Sequence, residues 1–372
     1  MAETARTRLA DARLRAAQAA RVAFYSANYL AVRRIAGPSG RLGEVPAPSE
    51  FAPVDRTRMA AAFRAVMESD RANIAAGLYP APREYAAPPN VLALSRRTID
   101  ALRDARVVAR RKQTRSNAEV FEERRGETDL PRYYLQNFHY QTDGWLSPES
   151  ARRYDMQVET LFTGSAGAMR RQAMPFLAEA LAGRDPRETR ILDLACGTGV
   201  LAETIKDAYP AAELTLLDLS EPYLEEARRR LGRRRSLNFV AANAEAVPEA
   251  DESFDAVVSI YLFHELPAKA RAQVAREIAR LLKPGGVFVF LDSLQYGDDS
   301  GLDGLLEAFP REFHEPYYDG YCRTDLDALF GEAGLEPAGG RLAFLSKVNA
   351  YRKPGGRGAR SPNHQSVAAV AQ

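Results

Sequence analysis

Cysteine is scarce in this 372-residue chain: Cys196 and Cys322 lie far apart, with no His or Cys neighbour at ligand spacing. That excludes a disulfide framework and a conventional zinc site, and it fits a reducing compartment. Long apolar runs are also missing. The longest, Phe288 to Leu291 and Val257 to Phe263, fall far short of the ~20 residues a membrane-spanning helix needs. The N-terminal stretch lacks an apolar signal core and carries Glu3 and Asp11, so a cytoplasmic location without a membrane span is expected. Net charge is nearly absent as well: 51 Lys+Arg against 49 Asp+Glu leave +2. Bulk electrostatics therefore gives no reason to expect a nucleic-acid partner. Arginine clusters at Arg228-Arg229-Arg230, Arg233-Arg234-Arg235 and Arg110 to Arg115 read as solvated faces rather than phosphate contacts.

What is present is an ordinary globular balance, 46% hydrophobic and 27% charged, enough for a packed core. The length asks for two pieces. Helical spacing runs from the start to about Gly37, around Arg58 to Ala76 and from Arg96 to Arg111, with turn-rich or Pro-containing stretches between. Residues 132–147 (RYYLQNFHYQTDGWLS) then concentrate aromatic and amide side chains and hold the only tryptophan, Trp145. Beyond Arg152 the pattern becomes strand and helix in alternation. The strand-like runs are Arg190 to Leu194, Leu214 to Asp218, Leu237 to Val240, Phe254 to Ile260 and Val287 to Leu291, and Pro337 to Tyr351 supplies the last strands. Short apolar strands alternating with helices predict an α/β fold, a doubly wound and mostly parallel sheet covered on both faces. The expected division is a mostly helical accessory or lid region over 1–150, an α/β domain over 151–352 and a disordered tail over 353–372.

The first strand runs into Asp193-Leu-Ala195-Cys196-Gly197-Thr-Gly199 and then a helix. Glycines at such a turn let backbone approach a ligand, and the helix N-terminus offers unpaired N–H groups. Gly197-x-Gly199-x-x-Ala202, with Asp218 about twenty residues on, also satisfies the dinucleotide fingerprint. An NAD-dependent oxidoreductase is therefore an open alternative at this point. Asp193 tips the balance, because a carboxylate sits badly beside a pyrophosphate and well beside an amino-acid ammonium group.

Taken in order, DLACGTG, LLDLS, FDAVVSIYLFHELP and LLKPGG resemble the class I S-adenosylmethionine-dependent methyltransferases, in the small-molecule branch that includes quinone-biosynthesis enzymes. The resemblance covers about residues 150 to 350. It implies a Rossmann-like sheet of seven strands and S-adenosyl-L-methionine as cofactor. Asp193, Ala195, Gly197 and Gly199 resemble the loop under the methionine moiety, with Ser259 at the end of the fourth strand. Asp218 resembles the carboxylate that takes both ribose hydroxyls. Leu219 and Ala244 resemble the residues that sandwich the adenine, and Asn243, in place of the usual Asp, still offers an oxygen to the adenine amino group.

Methyl transfer from a sulfonium depends mainly on alignment, and a base helps where the acceptor must lose a proton. His264, just beyond the fourth strand, is the candidate base; the alternative is that it caps the loop, with Glu265 as partner. Tyr134, Asn137, His139 and Tyr140, together with Tyr154, Tyr261, Tyr317 and Tyr318, are candidate substrate-binding residues; the aromatic segment is either a pocket wall or glue fixing the helical part to the sheet. A small organic acceptor, aromatic or apolar, is expected, with a homodimer through the N-terminal helices as a further expectation. No metal is expected. The Asn/Asp-Pro-Pro-aromatic motif of nucleic-acid amino methyltransferases is missing after the fourth strand, where Ser259-Ile-Tyr261-Leu stands. A non-catalytic cofactor-binding scaffold or sensor remains the other alternative.

Overall fold

The computed structural model describes residues 2–36, 49–86, 91–114, 116–123 and 130–355. Seven strands form one sheet: β1 (Arg190–Leu194), β2 (Glu213–Asp218), β3 (Leu237–Ala241), β4 (Phe254–Ile260), β5 (Leu282–Ser293), β6 (Glu336–Ala343) and β7 (Ser346–Arg352). Their order is β3-β2-β1-β4-β5-β7-β6. The first five are parallel, and β7 pairs antiparallel with both β5 and β6. The expected Rossmann-like, doubly wound architecture is met, and the topology reverses at β1 beside β4, where ligands of open α/β sheets bind.

Local chemistry explains most boundaries. In β1 and β4 nearly every residue is buried, as in a strand covered on both faces. Ser220 caps the helix Glu221–Leu231 by accepting from the Tyr223 N–H, and Pro222 stands in its first turn. Ser147 does the same for Pro148–Leu161. β5 begins five residues earlier than the apolar run Val287 to Leu291, because Lys283-Pro284-Gly285-Gly286 continues it as an irregular extension, with a register shift against Phe254/Ala256. The sheet ends on the exposed β6, bulged at Gly339, a usual way of blunting an edge.

The helices before the sheet, Ala2–Ala36, Arg56–Ala75 and Val91–Thr114, match the helical runs read from the sequence. One apolar core is continuous between them and the sheet: Val66, Met67 and Tyr79 pack with Met169, Met174, Ile191, Val258 and Val289. Residues 132–147 form two single-turn 3-10 helices, Arg132–Tyr134 and Phe138–Tyr140, and lie as a roof over the carboxyl edge of the sheet. Between β5 and β6 an insertion carries the helices Asp303–Glu312, Tyr318–Cys322 and Leu326–Glu332. No helix among the described residues is long and apolar enough to cross a membrane. The segment read as a tail lies almost wholly outside the described residues.

Candidate functional site

The glycine turn after β1 is built from left-handed backbone: φ is 59° at Ala195, 54° at Gly197 and 73° at Gly199. The two glycines serve different ends. A Cβ on Gly199 would meet Ala227 Cβ at 3.0 Å, whereas a Cβ on Gly197 would meet nothing within 4 Å. Gly199 therefore lets the helices pack, and Gly197 fronts open space. Ala195 holds the same backbone with a side chain, a strain that collects at functional turns.

Asp218, at the end of β2, accepts the Gly197 N–H at 2.8 Å on one oxygen and the Ser220 N–H at 2.8 Å on the other. Burial still raises its pKa to about 6 against those N–H groups. Asp193 is more exposed to the cost of burial. It is 2% accessible, its Oδ2 has no hydrogen-bond partner, and burial together with the Asp218 charge pushes it up to about 7. On the neighbouring strand the Ser259 Oγ is likewise buried without a partner. A buried unpaired carboxylate and hydroxyl beside a glycine cradle are what an incoming ammonium group would satisfy. This donor set fits the methionine end of S-adenosylmethionine. At the adenine end, Asn243 Oδ1 accepts the Glu245 N–H at 3.0 Å, and Glu245 takes the Tyr133 hydroxyl at 2.7 Å. Ala244 is buried and Leu219 half-buried beside it.

On the acceptor side, beyond β4, His264 Nδ1 lies 2.6 Å from Asp292 Oδ1, and Asp292 Oδ2 accepts the Phe263 N–H at 2.8 Å. Burial disfavours a charged ring, but Asp292 outweighs it and His264 is raised to about 10. Burial, reinforced by Glu315, raises Glu265 to about 8. His139 descends from the roof, with Nε2 3.0 Å from Glu315 Oε1 and 4.0 Å from Glu265 Oε1. Glu315 is wholly buried, and neither oxygen has a partner in hydrogen-bond alignment. No group of three or more His, Cys, Asp or Glu among the described residues is arranged to hold a metal.

The structure brings several candidate substrate residues around this cluster. The Tyr261 ring is 6.4 Å from that of His264 and its hydroxyl 2.8 Å from Ser346 Oγ. Tyr318 lies 5.9 Å from His264. Tyr154 packs edge-on against Trp145 at 5.5 Å. Tyr134 sits against Asp218, whose charge adds to burial in raising its pKa. Others are not brought in. Asn137 accepts the Val120 N–H and donates to Gln141 O, so its amide is spent bracing the roof. Tyr140 is buried against His314, and the Tyr317 hydroxyl accepts from Gln136 in the seam with the insertion. Of the roof residues, Tyr134 and His139 are the ones that reach the polar cluster, near Asp218 and Glu265 and near Glu315 and Glu265 respectively. An open cleft of about 810 Å³, lined by Asp100, Arg103, Glu149 and Arg230 among others, lies on the outer surface and includes none of the candidate site residues.

Asp292 and Arg170 were not singled out from the sequence. Asp292 had a signal: β1, β2 and β5 each end in an Asp near the carboxyl edge, at Asp193, Asp218 and Asp292. Arg170 had none, since its neighbour Arg171 looks the same in sequence.

Comparison with known proteins gives a methyltransferase-domain model matching residues 191–286. A ubiquinone/menaquinone biosynthesis C-methyltransferase of Methylobacterium nodulans is 35% identical over 43% of this chain and 62% of its own. A demethylmenaquinone methyltransferase of Thermotoga maritima is 33% identical over 48% of this chain and 72% of its own. A malonyl-[acyl-carrier protein] O-methyltransferase of Pseudescherichia vulneris is 30% identical over 52% and 74%. The chain spans less than two thirds of the length of the first curated relatives it matches.

Proposed function

Since the chain belongs to the class I S-adenosylmethionine-dependent methyltransferases, we propose that it methylates a small organic acceptor, aromatic or apolar, held between the β4 edge, the roof and the insertion. The observation that carries this reading is the buried, unpaired Asp193 carboxylate beside the Gly197 opening. When bound, S-adenosylmethionine supplies a methyl group already activated on a sulfonium. Asp193 would take the ammonium group and so regain its charge. Asp218 would take the ribose hydroxyls with the lone pairs its two N–H bonds leave free, and Leu219, Asn243 and Ala244 would receive the adenine.

His264 is better suited to donate than to abstract. Paired with Asp292 and charged at neutral pH, it would hold an acceptor oxygen and favour its deprotonated form, while Asp292 keeps the ring in place. The tyrosines and the roof exclude water and fix the acceptor in line. The aromatic lining of Tyr154, Tyr261 and Tyr318 supports an aryl or apolar acceptor over a macromolecule. The test is calorimetric titration with S-adenosylmethionine and S-adenosylhomocysteine, followed by transfer of labelled methyl to a panel of phenols and enolisable acids. Micromolar binding and label transfer are expected. NAD binding without S-adenosylmethionine binding would sink the proposal, and tight binding with no transfer across the panel would favour a cofactor-binding scaffold.

A further inference from the structure

Arg170 and Arg171 are adjacent and both buried, at 5% and 3% accessibility, yet their guanidinium groups meet opposite surroundings. Arg171 is saturated: Nε and Nη2 donate to the two oxygens of Asp70 at 2.8 Å each, and Nη1 donates to Glu84 at 3.1 Å. Arg170 forms no ion pair among the described residues. The carboxylates nearest to it along the helix Pro148–Leu161 make their bonds elsewhere. Asp155 is held by Arg230 and accepts the Thr198 hydroxyl at 2.6 Å, and Glu159 lies 2.8 Å from Arg21 Nη2 and accepts the Gly167 N–H, both on Oε1, which leaves its buried Oε2 without a partner. What Arg170 does touch is the face of Tyr261, 5.6 Å from its ring centroid.

A guanidinium presents a planar fork of donors that matches a carboxylate, and the buried fork of Arg170 is left unfilled although the charges of Asp155 and Glu159 nearby favour its charged form. We propose that Arg170 seats a carboxylate carried by the acceptor, so that the acceptor is an acid with an aromatic or apolar body. This rests on the reading of the site as a methyl-transfer site. Position favours the acceptor over the cofactor as the source of the carboxylate. Tyr261 follows β4 and stands beside His264, and its far neighbour is Phe162, stacked at 6.4 Å with an interplanar angle of 8°. The glycine turn reaches this region only through Thr198 and Asp155, so cofactor affinity is the readout that separates the two sources. Charge favours a carboxylate over a phosphate, because a dianion would want a second cation and the groups around Arg170 are tyrosines and the acids Asp155 and Glu159.

The test uses benzoate and its neutral match benzamide as probes on the full chain saturated with S-adenosylhomocysteine, with affinity read by ligand-observed NMR or calorimetry. Benzoate is expected to bind at least ~10-fold more tightly than benzamide, and Arg170→Gln to erase that preference while changing S-adenosylhomocysteine affinity less than ~2-fold. Arg170→Lys, which keeps the charge without the fork, should retain part of the preference. Equal binding of the two probes by the wild-type protein overturns the proposal, and that measurement does not depend on any variant folding. A Gln variant that keeps the preference, or that loses S-adenosylhomocysteine instead and so assigns Arg170 to the cofactor's carboxylate, also overturns it. Failure of S-adenosylhomocysteine to bind the wild-type protein would refute the methyltransferase reading, and is seen before either probe is added.

Discussion

Two polar clusters are buried in this molecule, and they are built on opposite terms. Where the N-terminal helices meet the sheet, Asp70 takes two bonds from Arg171 and one each from the Tyr79 and Tyr85 hydroxyls at 2.8 and 3.1 Å. Gln18 reaches the same carboxylate from the first helix. Every charge there has its complement. At the carboxyl edge of β1 and β4 the polar atoms of Asp193 and Ser259 have none. A satisfied network fixes structure, while an unsatisfied one waits for a ligand. Substitutions in the two clusters should therefore fail in opposite ways.

The largest effect is expected at the satisfied cluster. Asp70→Ala strands the Arg171 guanidinium in a dry site, which should cost about 3–5 kcal/mol in chemical denaturation and leave cofactor affinity nearly unchanged in whatever fraction stays folded. A loss below ~1 kcal/mol would show that the cluster is not the lock described here. Next in size is Asp218→Asn, whose new amide faces the Gly197 N–H. Cofactor affinity should drop at least ~100-fold, or about 2.7 kcal/mol, by calorimetry, and unchanged affinity would remove Asp218 from the site.

Smaller again is His264→Gln, expected to lower turnover ~10- to 100-fold with S-adenosylhomocysteine affinity intact. Asp292→Asn should lower turnover as well and bring the pH at which activity is lost down toward the ordinary histidine range, since Asp292 keeps His264 charged up to about pH 10. Full activity in the His264 variant would leave its ring a structural part of the β4 loop.

Much of the sheet was readable in the sequence because parallel strands covered on both faces announce themselves as apolar runs, and β1 and β4 appear where Arg190 to Leu194 and Phe254 to Ile260 predicted them. The glycine turn was readable for a related reason: glycine positions and strand-end acids are local. What lies across the chain was hidden. Asp70 and Arg171 are 101 positions apart, and nothing local says they meet. The divergence of Arg170 from Arg171 comes from side chains set about 100° apart around a helical turn, at the junction of Ala166–Arg170 with Arg171–Ala173. Asn137 and Tyr140 look like pocket residues because their types are those of pockets, whereas left-handed backbone at His139 and Tyr140 decides which way the roof faces.

Asp193 separates the two clusters by the smallest margin, because there stability and binding should move in opposite directions. Its pKa rises from an ordinary 3.8 to about 7 in the folded protein. A group raised on folding stabilises fully below its unfolded value and loses that contribution as pH climbs through its folded one. Without ligand, the wild-type protein should therefore lose stability from this group between about pH 4 and 7. The ceiling is roughly 4 kcal/mol, less whatever water and backbone relaxation recover. Asp193→Asn removes the ionisation, so the difference in unfolding free energy between variant and wild type should be near zero at pH 4 and grow in the variant's favour up to pH 7. Cofactor binding should show the reverse, with wild-type affinity rising over the same interval as the carboxylate becomes available to an ammonium group, and the variant weak throughout. A variant less stable than wild type at pH 7 would mean that Asp193 is satisfied in the folded protein after all, and would put it with Asp70 instead.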